Sequence, residues 1–185
     1  MEELLRKIEA LLLEKDGEVL ISIEGGAGSG KSTLGAALHR RYDSNLYHMD
    51  DFFLPPSLRT EERLREPGGN IHYERFLEEV MEGIMADDVF TYGVFDCKKG
   101  CITHQKEVLY APLHIMEGVY SAHPLYADLY DLRIFLDIDA ETQKKRIEAR
   151  NGEMAKLFFE RWIPMENQYF EAFRVRENSD IVLSI

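Results

Sequence analysis

An α/β fold, with a five-stranded, mainly parallel sheet and helices on both faces, is predicted by three features of this 185-residue chain. Short apolar runs alternate with stretches of helical periodicity from Val19 onward. The first run leads straight into the glycine cluster Gly25-Gly26-Ala27-Gly28-Ser29-Gly30 and out into a helical pattern. Acidic residues close several of the later runs. Alternating strand and helix patterns bury their apolar faces best as a parallel sheet sandwiched between helices.

Taken in order, residues 2–14 carry Leu4, Leu5, Ile8, Leu11 and Leu12 at helical spacing, so 1–15 forms an amphipathic helix laid on the domain. Strands are expected at 19–23 ("VLISI"), 46–49 ("LYHM"), 113–116 ("LHIM"), 132–136 ("LRIFL") and 181–184 ("IVLS"), and helices at 32–42, 73–86, 140–150 and 154–173. Residues 54–70 have the Pro, Gly and charge content of an exposed excursion, and 90–109 reads as a hairpin inserted before the third core strand. There are no internal repeats, and the length suits a single domain spanning 1–185.

Composition excludes several function classes. With 34 acidic against 22 basic residues, a formal charge of −12 and no Lys/Arg-rich run, the chain repels polyanions, so no nucleic-acid partner is expected. No apolar run reaches membrane-spanning length, and "MEELLRKIEALLLEK" has charges where a signal peptide needs an apolar core. A cytoplasmic protein with no membrane partner is expected; self-association into a homo-oligomer stays open. Cys97, Cys101 and His104 make a C-x3-C-x2-H cluster, but structural zinc sites close with four ligands and a fourth is not evident, so these read as reduced thiols in a hairpin.

The glycine cluster carries the strongest chemistry. Gly25 to Ser32 matches G-x-x-x-x-G-K-[ST] and sits between a strand and a helix pattern, the setting that a nucleotide phosphate loop of a P-loop NTPase requires. Glycines let successive backbone N–H groups turn inward as an anion nest, and the following helix adds its positive end. Lys31 then reaches the outer phosphates of ATP, Ser32 offers its hydroxyl to Mg²⁺, and Thr33 caps the same helix end. Gly25, Gly26, Ala27, Gly28, Ser29, Gly30, Lys31, Ser32 and Thr33 are the expected nucleotide-binding residues.

Ligands of parallel α/β sheets bind outside the carboxyl ends of the strands. Asp50 follows "LYHM", Glu117 follows "LHIM" and Asp137 follows "LRIFL", which places all three on the edge that holds the phosphate loop. A carboxylate there can hold Mg²⁺, directly or through water, or accept the proton of an attacking hydroxyl. Asp50 suits the second role and also stands with Ser32 and Glu117 as an expected neighbour of Mg²⁺; capping of the next segment is the alternative, and Asp51 competes with it. Glu117 suits the metal, an acid paired within the core being its alternative. Asp137 is expected to be structural, because Asp139 and Thr142 in "LDIDAET" are placed to start a helix.

These residues carry a resemblance. The phosphate loop, "MDDFF" (49–53), "NIHYERF" (70–76), "FDC" (95–97), "MEGVY" (116–120), "LRIFLDIDAETQKKRI" (132–147) and "NSDIVLS" (178–184) together resemble the uridine kinase-like branch of P-loop kinases, over nearly the whole chain after the first helix. The resemblance implies transfer of the γ-phosphate of ATP to a hydroxyl of a small molecule, with Asp50 as base, Glu117 near the metal and Arg150 in a mobile lid. It further implies an acceptor pocket that includes Phe53, His72 and Phe95, although a surface His and a core Phe are equally good readings of the last two. Uridine kinases have an Asp in the segment that here reads Asn70-Ile71-His72, and a His where this chain has Gly100. Uridine is therefore expected to be a poor acceptor, and a nucleoside or another sugar-like metabolite fills that place.

Arg146 and Arg150 lie four apart on one helix face and Arg161 follows in "FFERWIP", so a lid over about 146–162 can bring guanidinium groups onto the transferring phosphoryl group. A solvated face with Glu141 pairing Lys145 is the plain alternative for this helix, and Trp162 is read as packing. The competing functional class is a nucleotide-binding regulatory NTPase or sensor without an acceptor. The D-x-x-G and N-K-x-D motifs of a GTPase switch are absent from the sequence.

Overall fold

The computed structural model describes residues 1–86 and 89–185. Its strands are β1 (Val19–Gly25), β2 (Asn45–His48), β3 (Phe90–Asp96), β4 (Cys101–Val108), β5 (Leu113–Glu117), β6 (Leu132–Asp137) and β7 (Ile181–Ser184). Five of them form one sheet in the order β2-β5-β1-β6-β7, and every neighbouring pair is parallel.

Side chains alternate between the two faces of this sheet, as strand geometry dictates. Val19, Ile21 and Ile23 of β1, Leu113 and Ile115 of β5, and Leu132, Ile134 and Leu136 of β6 enter one core with Leu34 and Leu38 of the helix α2 (Lys31–Arg41). The amino-terminal helix α1 (Glu2–Glu14) closes this core with Leu4 and Ile8, both fully buried; each contributes about 1.5–3 kcal/mol. Leu20, Met116 and Phe135 face the other way, into an aromatic core that includes Tyr47, Phe52, Phe76, Tyr92, Tyr126 and Tyr169. No helix among the described residues is long and apolar enough to cross a membrane.

Four stretches differ from the sequence expectation. The second strand stops at His48, and Met49–Phe52 is a 3-10 turn. The helix expected over 73–86 runs as Tyr73–Phe76, a π-helical turn at Leu77–Met81, and Glu82–Met85. The helix expected over 154–173 opens with a 3-10 turn at Gly152–Met154, continues as Ala155–Leu157, loosens into a π-turn at Phe158–Trp162 and resumes at Ile163–Phe173. Pro164 accounts for that second π-turn: it has no N–H and its ring crowds the carbonyl four residues back, so the hydrogen-bond ladder is relaxed just before it. Finally, the 54–70 segment is not exposed throughout, because Leu54, Gly68, Gly69 and Asn70 are buried. Arg63 pins its base. It donates to the carbonyls of Gly69 and Ile71, each at 3.0 Å, and to both carboxylate oxygens of Glu74 at 2.6 and 2.8 Å.

β3 and β4 pair antiparallel as a separate two-stranded sheet, with a bulge between Val94 and Phe95. Lys106 Nζ donates to the Leu46 carbonyl at 2.9 Å, which ties this hairpin to β2 of the main sheet, and Arg75 Nη1, from the helical turn Tyr73–Phe76, donates to the Gly93 carbonyl at 2.7 Å. Its tip turns through Cys97 to Gly100, with Asp96 accepting from the backbone N–H groups of Lys98 and Lys99 at 2.8 and 3.1 Å. Cys97 and Cys101 are unpaired and exposed.

Candidate active site

Register fixes where the phosphate loop lies. Ile23 of β1 stands beside Glu117 of β5 and Ile134 of β6, so the loop leaves the sheet at the same edge where β5 presents its terminal acid. The loop then swings into α2 through Gly30, whose φ of 99° at the N-cap lies in the left-handed region that favours glycine. The helix has no side-chain cap, which corrects the expectation that Thr33 caps it. Without such a cap the first amides of α2 stay available to an anion. Lys31 is buried and donates through Nζ to the Gly26 carbonyl at 2.9 Å. The hydroxyl of Ser29, also buried, has no hydrogen-bond partner among the described residues. A cavity of about 650 Å³ opens over the loop, lined by Gly28 to Thr33, Arg146 and Arg150, with Leu136, Leu183 and Ile185 as an apolar flank. Its size suits a nucleotide-sized ligand.

The acids converge on this edge. Ser32 Oγ donates to Glu117 Oε2 at 3.1 Å, while His48 Nδ1 contacts Oε1 of the same carboxylate and is held protonated more firmly by that hydrogen bond. Gly118 makes the approach possible. Its φ is 137°, and a Cβ there would lie 2.6 Å from Cβ of Met49, so only glycine lets the end of β5 press against the turn that carries Asp50. Asp50 itself is open to solvent yet crowded by protein, the environment of a groove rather than a core. Crowding and the negative charge of Glu117 hold its carboxyl above the ordinary range, with Lys31 pulling the other way. Asp51 is differently placed: its Oδ2 accepts from the Tyr92 hydroxyl at 3.3 Å, and its carbonyl accepts from Arg75. Asp137 pairs with Arg176 at 2.8 Å, and Asp139 caps the helix Ala140–Asn151 by accepting from the N–H groups of Glu141 and Thr142 at 3.0 and 2.9 Å.

Among the described residues no group of three or more His, Cys, Asp or Glu side chains could hold a metal by itself. Mg²⁺ that arrives with a nucleotide needs fewer protein ligands, because it keeps several waters and takes most other oxygens from phosphate. The hydroxyl and carboxylate of the Ser32–Glu117 pair supply the hard oxygen donors that it prefers.

No family model matches the chain. Two uridine kinases, from Oceanobacillus iheyensis and Bacillus licheniformis, are each 26% identical to it, over 70% and 89% of this chain and 65% and 85% of their own lengths. Over the first of these the chain thus spans somewhat less than two thirds of the relative. Among solved structures, a possible uridine kinase from Bacillus stearothermophilus superposes with a TM-score of 0.70 at 18% identity, covering 98% of this chain and 99% of that one. In sequence the chain is similar to these uridine kinases, and in fold to that solved structure.

The three arginines expected in a lid separate. Arg146 and Arg150 line the phosphate-loop cavity, Arg146 donating to the Gly28 carbonyl at 3.1 Å. Arg150 lies over the Phe158 ring and donates to Asn151 at 2.9 Å. Arg161 is exposed and stacks on Trp162, so it is not brought to the loop in this arrangement. Glu141 and Lys145 form the expected pair at 2.6 Å on the solvent face of the same helix.

The acceptor-side residues also scatter. Phe53 pairs with Ile71 in an isolated antiparallel bridge and packs on the aromatic core, and Phe95 is buried in the hairpin. His72 lines a second groove, of about 310 Å³, with Arg63, Glu66 and Glu74. Gly100 faces Pro56 at the hairpin tip. The hairpin nevertheless reaches the edge that carries Asp50: burial and then the charge of Asp50 hold the Cys97 thiol above its ordinary range.

Sequence reasoning missed three residues. Gln143 donates through Nε2 to the Ala27 carbonyl at 2.9 Å, one turn before Arg146 on the same helix face, and that spacing was the available signal. Glu166 is 6% exposed and accepts from the Ala27 N–H at 2.8 Å. Glu24 is fully buried where β1 enters the loop. It accepts from the N–H groups of Gly25 and Ala122 at 2.9 and 3.2 Å and from the Tyr169 hydroxyl at 3.2 Å.

Proposed function

We propose that this protein is an ATP-dependent phosphotransferase that moves the γ-phosphate of ATP to a hydroxyl of a small molecule, a nucleoside or another sugar-like metabolite. One observation carries the reading: Asp50, a carboxylate open to solvent and held toward its protonated form, stands within electrostatic reach of Lys31 and Glu117 at the mouth of the phosphate loop. A carboxylate there can take the proton of an attacking hydroxyl, and dependence of ADP release on an added alcohol separates that acceptor from water. The acceptor oxygen bonds to the γ-phosphorus, its proton passes to Asp50, and the bond to the β–γ bridging oxygen breaks to release ADP. Lys31, with Arg146 and Arg150 from the cavity wall, offsets the charge on the phosphoryl oxygens. Ser32 and Glu117, hydrogen-bonded to each other, would hold Mg²⁺, which would supply neutralisation of phosphate charge.

Uridine is not favoured as the acceptor. His72 belongs to a groove with Arg63 and Glu74, and Gly100 offers no side chain, so neither of these two positions rewards a pyrimidine with a hydrogen bond. The test is coupled ADP release over nucleosides, ribosides and small polyols in the presence of Mg²⁺. The expected result is saturable release with one hydroxyl compound and weak release with uridine and cytidine. Efficient phosphorylation of uridine at micromolar concentration would overturn the acceptor reading, and ATP binding without any stimulating acceptor would favour the regulatory NTPase.

A further inference from the structure

The phosphate loop already has a carboxyl group from elsewhere in the chain on one of its amides. Glu166, from the helix Ile163–Phe173, reaches across to the Ala27 N–H with Oε2 at 2.8 Å and is almost wholly buried there. Burial holds its carboxyl above the ordinary range, the Ala27 N–H and the charges of Lys31 and Arg150 pull the other way and Asp50 adds to the rise, so it lies amid the groups assigned to the outer phosphates and the acceptor. Lys31 is similarly turned inward, onto the carbonyl of Gly26, the residue that precedes Ala27. Two further contacts run from the lid side to the same stretch of backbone: Gln143 to the Ala27 carbonyl and Arg146 to the Gly28 carbonyl. Ala27 therefore has both its N–H and its carbonyl engaged by side chains beyond the loop.

An amide N–H has one hydrogen, and a carboxylate oxygen and a phosphate oxygen are alternative acceptors for it. Both carry negative charge, and in a buried setting that charge is poorly screened. We propose that Glu166 is an internal stand-in for phosphate: it occupies the Ala27 amide while the loop is empty, gives it up when the triphosphate enters, and thereby sets how tightly the outer phosphates are held. Glu166 is then a positioning residue for the lid, since the helix that carries it is released from the loop as the phosphate takes its place. This deepens the kinase reading and rests on nucleotide binding at the loop, not on the identity of the acceptor.

The experiment measures equilibrium binding of ATP, inorganic tripolyphosphate and AMP to the wild type and to Glu166→Gln, which keeps the shape and removes the charge. Displacement predicts that the variant binds ATP and tripolyphosphate about tenfold more tightly, within the range usual for coupled binding events, and AMP with little change. Unchanged or weaker triphosphate binding by a folded variant overturns the inference and makes Glu166 a structural clasp. If the variant does not fold, the ¹⁵N–¹H resonance of Ala27 in the wild type decides: a large shift on adding tripolyphosphate supports exchange of acceptors, and no shift overturns it. Wild-type ATP binding reports separately on the underlying reading, because loss of all nucleotide binding sinks both, whereas binding without the Glu166 effect sinks only this one.

Discussion

Lys31 is the side-chain cation that the motif aims at the outer phosphates, and its Nζ donates to a backbone carbonyl, that of Gly26. Lys31→Ala is expected to abolish transfer and to weaken ATP binding, measured by titration calorimetry and coupled ADP release; wild-type turnover in the purified variant would refute the assignment. Asp50 and Asp51 are set apart by local geometry. Met49–Phe52 is a 3-10 turn, so successive side chains fan out around an axis, and Asp51 finds Tyr92 while Asp50 is left free in the groove. Asp50→Asn is expected to lower kcat by at least about 100-fold with ATP binding kept, the usual cost of losing a general base. Asp51→Asn should act mainly on stability or on the acceptor KM. The reverse pattern in steady-state kinetics would move the base to Asp51. The phosphate loop and the acids Asp50 and Glu117 were legible because each is tied to a local pattern, a glycine spacing or the end of an apolar run. Glu166 and Glu24 were not, since their roles depend on burial and on partners 139 and 145 residues away in the chain.

At the scale of elements, the join between β1, the turn after β5 and the helix Ile163–Phe173 is made by one acid. Glu24 takes hydrogen bonds from all three, and its burial raises its carboxyl from 4.5 to about 7. The folded protein thus keeps a proton that the unfolded chain has released over the interval from about 4.5 to about 7, so stability falls as pH rises through that window. The whole contribution is present below the lower value and is gone above the upper one; at 1.36 kcal/mol per pKa unit it amounts to about 3 kcal/mol. Urea denaturation at pH 5 and pH 8 should show the wild type losing more stability than Glu24→Gln. Parallel losses in the two proteins would remove Glu24 from the account, because the repulsion from the net charge of −12 acts on both almost alike. The same scale shows what periodicity can and cannot give. All five strands of the main sheet follow from short apolar runs, the second displaced by one residue from its expected bounds, and the helices between them from spacing of three to four. The π-turn before Pro164 and the burial of Gly68 to Asn70 do not, since the first is a compromise in the hydrogen-bond ladder and the second is imposed by Arg63 from outside the segment's own pattern.

Over the whole molecule, the parts that must act together lie on three separately anchored bodies. The main sheet carries the phosphate loop and Glu117, the hairpin reaches the neighbourhood of Asp50, and the two helical stretches after β6 carry Arg146, Arg150 and Glu166. In the present arrangement Asp50 faces solvent, and Arg150 and Arg161 are engaged with Asn151 and Trp162. Water therefore has access to the groove, yet the arginine constellation that would stabilise a transferring phosphoryl group is incomplete. Closure that depends on a bound acceptor would complete the one and exclude the other, which is how transfer is favoured over hydrolysis. ADP release with ATP and Mg²⁺ alone is accordingly expected to be slower than release with the true acceptor by about 100-fold or more, a difference of the size that loss of one preorganised electrostatic group produces. Stopped-time assays with and without the acceptor measure this ratio directly. A ratio near one, at saturating ATP and with the acceptor shown to bind, would mean that water is the physiological nucleophile, and the three bodies would then form a nucleotide-responsive switch rather than a kinase.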